Sequence, residues 1–219
     1  MARAGSPALP SAGTPSDDRH GAALTEQVGH DPAKRIVVGY GFWIFLISDI
    51  IMFSAFFATY AVQTDATAGG PAGRDIFDSK NVAIETACLL ASSFSCGLAS
   101  IGAQCRHRVL FNVSMLVTFL LGAAFLGLEL REFSQLVEQG AGPTRSSFLS
   151  SFFTLVGCHG LHVTVGLLWL LTMMAQVVAK GFREDIQRRI LCFSLFWHTL
   201  DIVWVALFSL VYLVGVAPT

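Results

Sequence analysis

Charge is scarce in this 219-residue chain: 13% of its residues are Asp, Glu, Lys or Arg, against 53% hydrophobic ones, and the formal net charge is −1. That composition excludes an ordinary soluble domain, in which about a quarter of residues are charged. No nucleic-acid partner is expected. No secretory signal is expected in MARAGSPALPSAGTPSDDRHG, which has no apolar stretch behind its basic start. Asp17, Asp18, Glu26 and Asp31 are out of place in a mitochondrial presequence. No two of the five cysteines form a C-x-x-C pair; Cys88, Cys96, Cys158 and Cys192 fall inside apolar runs and Cys105 ends one. Neither a disulfide nor a thiolate metal site is expected, and packing is the simplest role for a small side chain there.

Long apolar runs are what the chain does have, and its mean hydropathy is +0.62. They cover residues 37–63, 82–104, 109–130, 148–178 and 190–216, each at or above the roughly 20 residues that a helix needs to cross a bilayer. The expected fold class is therefore all-α: an integral membrane bundle of five transmembrane helices over 37–216. Residues 1–36, rich in Ala, Gly, Pro and Ser, are expected to form a disordered cytoplasmic tail. Lys34, Arg35, Arg106, Arg108, Lys180, Arg183, Arg188 and Arg189 fall on one side of such a bundle, leaving Arg74, Lys80, Arg131 and Arg145 for the other. This asymmetry predicts the N-terminus inside and the C-terminus outside. Ala87, Ala91, Ser95, Ala99 and Ala103 recur every fourth residue, a small-residue stripe along which a neighbouring helix can approach. Ala123 and Gly127, and Gly157, Gly160 and Gly166, repeat the device.

Within this apolar frame a few ionisable residues stand at mid-span, where an Asp costs about 3 kcal/mol on insertion scales and needs a partner inside the protein. Asp49, in FWIFLISDIIMFSAFF, has no basic residue within two turns, so its partner must come from another helix. A proton-relay carboxyl and a structural interhelical hydrogen bond are both open for it. His159 and His162 are spaced i, i+3 and share a side of their helix. An interhelical hydrogen bond is the simpler reading there, since a closed zinc site wants four ligands and a bis-histidine haem wants one from each side of the ring. His198 and Asp201, also i, i+3, are expected to satisfy one another on their own helix. Ser194 precedes His198 by one turn, but three residues on a single helix do not orient as a hydrolytic triad. Glu85 and Glu129, near the ends of their runs, are expected at the outer interface in contact with water.

The runs FWIFLISDIIMFSAFFATYA, FFTLVGCHGLHV and FSLFWHTLDIVWVALF resemble the three signature stretches of subunit III of the haem-copper respiratory oxidases, in order, over roughly residues 36–215. That family in its cytochrome c oxidase branch commonly has seven helices. The five here, with ATYAV, TAGGPAGRDIF, FLGLELREF and GAGPTRSSFLSSFF, are closely similar to the quinol-oxidising branch, the subunit III of bacterial cytochrome o ubiquinol oxidases. The position of Asp49 is commonly Glu in the cytochrome c oxidase branch. The resemblance implies a non-catalytic subunit of a proton-pumping terminal quinol oxidase in the bacterial inner membrane. Such a chain carries no cofactor itself; haems and copper belong to subunit I. Its partners are subunit I, other oxidase subunits and phospholipids, and its work is to support subunit I, hold lipid and influence proton or oxygen access. Asp49, Glu85, His159, His162, His198 and Asp201 form the candidate interior polar framework. Two other classes compete: a stand-alone proton-coupled transporter, disfavoured by the lack of an internal repeat, and a b-type cytochrome using His159 or His162 with His198.

Overall fold

The computed structural model describes residues 17–63, 79–140 and 142–213. Two compact units are distinguished, Met1–Trp43 and Ile44–Thr219. Helix α1 (Asp17–Gln63) contributes to both, and α2 (Ser79–Gln104), α3 (Arg108–Glu138), α4 (Ser147–Lys180) and α5 (Glu184–Leu207) follow, with a closing π-helical turn at Phe208–Leu213. The described residues contain no strand. Among the described residues five segments are long and apolar enough to cross a membrane: Gly39–Gln63, Asn81–Gln104, Arg108–Glu138, Ser147–Ala179 and Ile186–Val211.

The boundaries differ from hydropathy in two places. Residues 17–36, expected as part of a disordered tail, are helical; residues 1–16, and the end of the fifth run at 214–216, lie outside the described residues. Helix α3 continues two turns beyond Leu130 to Glu138, carrying Leu136 as a buried residue. Hydropathy falls at Arg131 and Glu132, but a helix needs only its backbone bonds and a continuing inward face, both of which persist there. The turns are closed locally. His107 caps α3 by accepting from the Leu110 N–H at 3.3 Å, and Ser146 caps α4 by accepting from that of Leu149 at 3.2 Å. Gly181, at φ +70, ends α4 in a conformation that a Cβ would strain, and Arg108 Nη2 lies 2.7 Å from where that Cβ would stand.

Buried positions alternate in steps of three and four along α2 to α5. On α4 they are Leu149, Phe152, Val156, His159, Val163, Gly166, Leu170, Met173 and Val177; on α2, Val82, Glu85, Leu89, Ser92, Cys96, Ala99 and Ala103. This is the seam spacing of antiparallel bundles, in which inward side chains return to one face every two turns. The contacts close a ring, α2 on α3, α3 on α4, α4 on α5 and α5 on α2. Within the second unit α1 packs against α4: the Tyr60 and Phe148 rings lie 5.6 Å apart, and those of Phe53 and His162 lie 5.3 Å apart.

The small-residue stripe holds over only part of α2. Ser95, Ala99 and Ala103 are buried, whereas Ala87 and Ala91 are exposed. Four residues turn a helix by about 400°, so a strict four-residue repeat drifts off any face within a few turns. Where the stripe holds, backbones come close: the Ser95 hydroxyl donates to the Ser114 carbonyl at 2.8 Å, and that of Thr118 reaches the Ser92 carbonyl at 3.3 Å. Gly122 and Gly166 flank Trp197 from α3 and α4, each leaving room that a Cβ would close to about 3 Å from the indole. Gly127, expected in the same role as Gly160 and Gly166, meets nothing within 4 Å.

Candidate functional site

The ionisable residues gather into three groups, each built by a different pair or set of helices. The first joins α1 to α4. Asp49 Oδ2 stands 3.7 Å from His162 Nε2, so the partner of Asp49 does come from another helix. His162 Nδ1 lies 2.7 Å from the Cys158 carbonyl one turn back, and Cys158 Sγ is 3.8 Å from the same nitrogen. A carbonyl only accepts, so Nδ1 carries the hydrogen of that bond and Nε2 turns a lone pair or a second proton toward Asp49. The contact is attractive when one proton resides on either Nε2 or the carboxyl. Both side chains are partly accessible, at 19% and 16%.

The second group joins α2 to α5 and corrects the expected pairing of His198 with Asp201. The Ser93 hydroxyl from α2 comes between them, 2.6 Å from His198 Nδ1 and in hydrogen-bonding contact with the Asp201 carboxyl. One assignment satisfies all three: Ser93 accepts from His198 Nδ1–H and donates to Asp201. A residue at i+3 lies about 5 Å along the axis, and an imidazole and a short Asp side chain meet more readily through a hydroxyl on the facing helix. Two tryptophans on α5 use neighbouring hydroxyls on α2 in the same way: Trp197 Nε1 donates to Ser92 Oγ at 3.0 Å and Trp204 Nε1 to Thr86 Oγ1 at 3.1 Å. These partners, Thr86, Ser92 and Ser93, were missed in the sequence. Their signal was a run of hydroxyls in an otherwise apolar helix, facing Trp197 and Trp204, which stand seven residues apart.

The third group lies in the seam of the ring. Glu85 on α2 is 1% exposed and Glu129 on α3 is 3% exposed, which overturns the expectation of two water-facing carboxyls. The reason is register: Glu85 falls three residues after buried Val82 and four before buried Leu89, and Glu129 four residues after buried Phe125. Glu129 rests against Gly160 of α4, its Oε1 2.7 Å from where a Cβ would stand. His159, fully buried, is boxed by the rings of Trp204 at 5.2 Å, Phe125 at 5.9 Å and Phe53 at 6.3 Å. Neither of its ring nitrogens has a hydrogen-bond partner, nor has Glu85 Oε2 or Glu129 Oε2.

The arrangement bears directly on metal and haem chemistry. His159, His162 and His198 face three different surroundings, an aromatic box, Asp49 and Ser93, so no two of them present nitrogens to one iron. Among the described residues no three His, Cys, Asp or Glu side chains come together as a ligand set. The residues present do not fit a haem between α4 and α5, because Trp204 fills that space. What they can do is hold helices together and hold protons.

Comparison with known proteins agrees with this helical framework. The family model described as cytochrome c oxidase subunit III matches residues 22–216. The cytochrome bo(3) ubiquinol oxidase subunit 3 of Pseudomonas aeruginosa is 50% identical over 198 residues, covering 90% of this chain and 94% of that one. The quinol oxidase subunit 3 of Bacillus subtilis is 42% identical over 177 residues, covering 80% and 86%. With the family model matched over residues 22–216, the chain belongs to the cytochrome c oxidase subunit III family.

Proposed function

We propose that this chain is the non-catalytic subunit III of a terminal quinol oxidase of the bacterial inner membrane, a complex that reduces oxygen to water and pumps protons. The observation that carries the reading is similarity along nearly the full length to proteins named as quinol oxidase subunit 3 in two bacteria. Haems and copper would be held by subunit I. This chain would support subunit I, retain phospholipid and influence proton or oxygen access, with its N-terminus inside and its C-terminus outside.

Two features support that division of labour. Asp49 with His162, and His198 with Ser93 and Asp201, join pairs of helices to one another. Helix α1 presents Ile44, Ile47, Ile50 and Ile51 as exposed apolar side chains, a surface suited to lipid or to a partner's helices. Asp49 and His162, partly accessible at the α1–α4 seam, are the groups placed to exchange protons with such a neighbour.

Mild-detergent purification through a tag on this chain tests the reading. Co-purification of a haem-bearing subunit with quinol oxidase activity is the expected result. Recovery of the chain alone from membranes that retain such activity would sink it.

A further inference from the structure

We infer that the turns at 104–108 and 180–189 together form a binding site for the phosphate group of an anionic phospholipid, with Arg106 as its anchoring cation. Three observations carry it. First, the two turns interlock at one end of the ring. The Phe111 and Phe182 rings meet at 5.5 Å, Gln187 Nε2 donates to the Ala103 carbonyl at 3.4 Å, and the Arg108 guanidinium lies over Gly181. Their sequences, QCRHR and KGFREDIQRR, hold six Lys or Arg against two acids, whereas residues 131–146, at the opposite end, hold two of each. Second, Arg106 occupies a position that glycine would fill at lower cost. The His107 N–H donates to the Gly102 carbonyl at 2.9 Å and the Arg106 N–H to that of Ala103 at 3.2 Å, the pair of bonds that ends a helix on a left-handed residue. That residue is Arg106, at φ 53, the one non-glycine with positive φ among the described residues. A Cβ is strained there, so the turn itself calls for no side chain. The arginine is exposed, and its guanidinium takes part in no hydrogen bond or ion pair among the described residues.

Third, the site stands where headgroups stand. The apolar spans stop at Gln104 and Ala179 and start again at Arg108 and Ile186, so both turns fall just past the hydrocarbon. Within two turns of the arginines Ile101, Val109, Leu110 and Val178 are exposed, a surface for acyl chains below a phosphate. A guanidinium offers a planar fork that fits two phosphate oxygens. His107, whose Nδ1 accepts from the Leu110 N–H, carries its hydrogen on Nε2 and adds a donor at the same exposed rim. The inference deepens the retention of phospholipid proposed above and rests on the membrane part of that reading, not on the oxidase to which the chain is assigned.

Native mass spectrometry of the purified protein, with all the subunits it retains, tests the site by titration with phosphatidylglycerol and with phosphatidylethanolamine. The parent should prefer phosphatidylglycerol, and Arg106→Gly should weaken that lipid about fivefold, the share of one arginine near an anionic headgroup. The same variant should unfold at a higher temperature than the parent, because glycine relieves the left-handed position. Arg106→Lys keeps the charge and the strain, so it should retain most of the affinity and gain no stability. Arg145→Gln, at the opposite end, should bind as the parent does. Equal binding of the two lipids by the parent, an Arg106→Gly variant that binds like the parent or is less stable than it, or displacement of the lipid by inorganic phosphate would overturn the proposal. So would release of another subunit by Arg106→Gly with lipid affinity intact, which would make the rim a protein contact. Isolation of the chain without an oxidase partner would overturn the assignment above and leave the lipid titration readable.

Discussion

The ring of α2 to α5 and the α1–α4 seam solve the same problem differently. In the ring, half of the most apolar stretch of α5 is buried within the chain, and its tryptophans meet hydroxyl partners on α2. At the seam, 11% of the α1 span is buried, and the contact rests on Asp49 with His162 and on the rings of Phe53 and Tyr60. Apolar surface is no guide to this difference, since lipid is as apolar as a protein interior and packing alone discriminates. The ring is a scaffold held by interdigitation. The α1 seam is a lighter joint in which a titratable pair carries a larger share of the attachment.

The comparison is broken most severely at Trp197. Its indole fills the space left by Gly122 and Gly166 and donates to Ser92, so Trp197→Ala opens a cavity among three helices and removes the hydrogen bond that the Ser92 hydroxyl accepts. A loss of about 3–5 kcal/mol is expected from the truncation, read as a large drop in thermal unfolding temperature in detergent. An equally large loss from Phe53→Ala on α1 would show that the two regions are bound with equal strength.

His198→Ala probes the ring's polar contacts at smaller cost. It removes the donor to Ser93 and leaves the hydroxyl and Asp201 to each other, for an expected loss of about 1–3 kcal/mol. His198→Asn, which retains a side-chain donor, should recover part of it. Unchanged stability in His198→Ala would mean that Ser93 and Asp201 suffice without the imidazole.

How much of this was legible beforehand follows from the solvent. Five spans could be read because a run of twenty apolar residues has few other meanings, and the partner of Asp49 was known to lie on another helix because its own turns hold no cation. Inward faces were harder. In a soluble helix the polar side marks what is outside, but here Leu90, Phe94 and Leu98 face out while Glu85, Ser92 and Ser95 face in. Polarity thus points inward, the reverse of the habit that assigned Glu85 and Glu129 to water. The step of three and four from Val82 through Glu85 to Leu89 was present in the sequence and places Glu85 in the seam. The bridge of Ser93 between His198 and Asp201 was not legible, because it depends on the axial register of α2 against α5.

The smallest effect is expected at the joint itself. Asp49→Asn keeps the size of the side chain and brings an amide donor toward His162 Nε2, while removing the carboxylate that stands 3.7 Å from it. Interhelical hydrogen bonds in membranes average about 0.6 kcal/mol, so exchanging one for another should change stability by less than about 1 kcal/mol and leave α1 in place. Any functional consequence would then belong to proton exchange and not to architecture. Asp49→Leu separates the two further, since it keeps the γ-branched shape and discards the polar contact with His162: a loss of stability near the value for His198→Ala would promote the pair to a structural element, whereas near-normal stability with altered proton handling would leave Asp49 and His162 as a polar contact on a joint that Phe53 and Tyr60 hold.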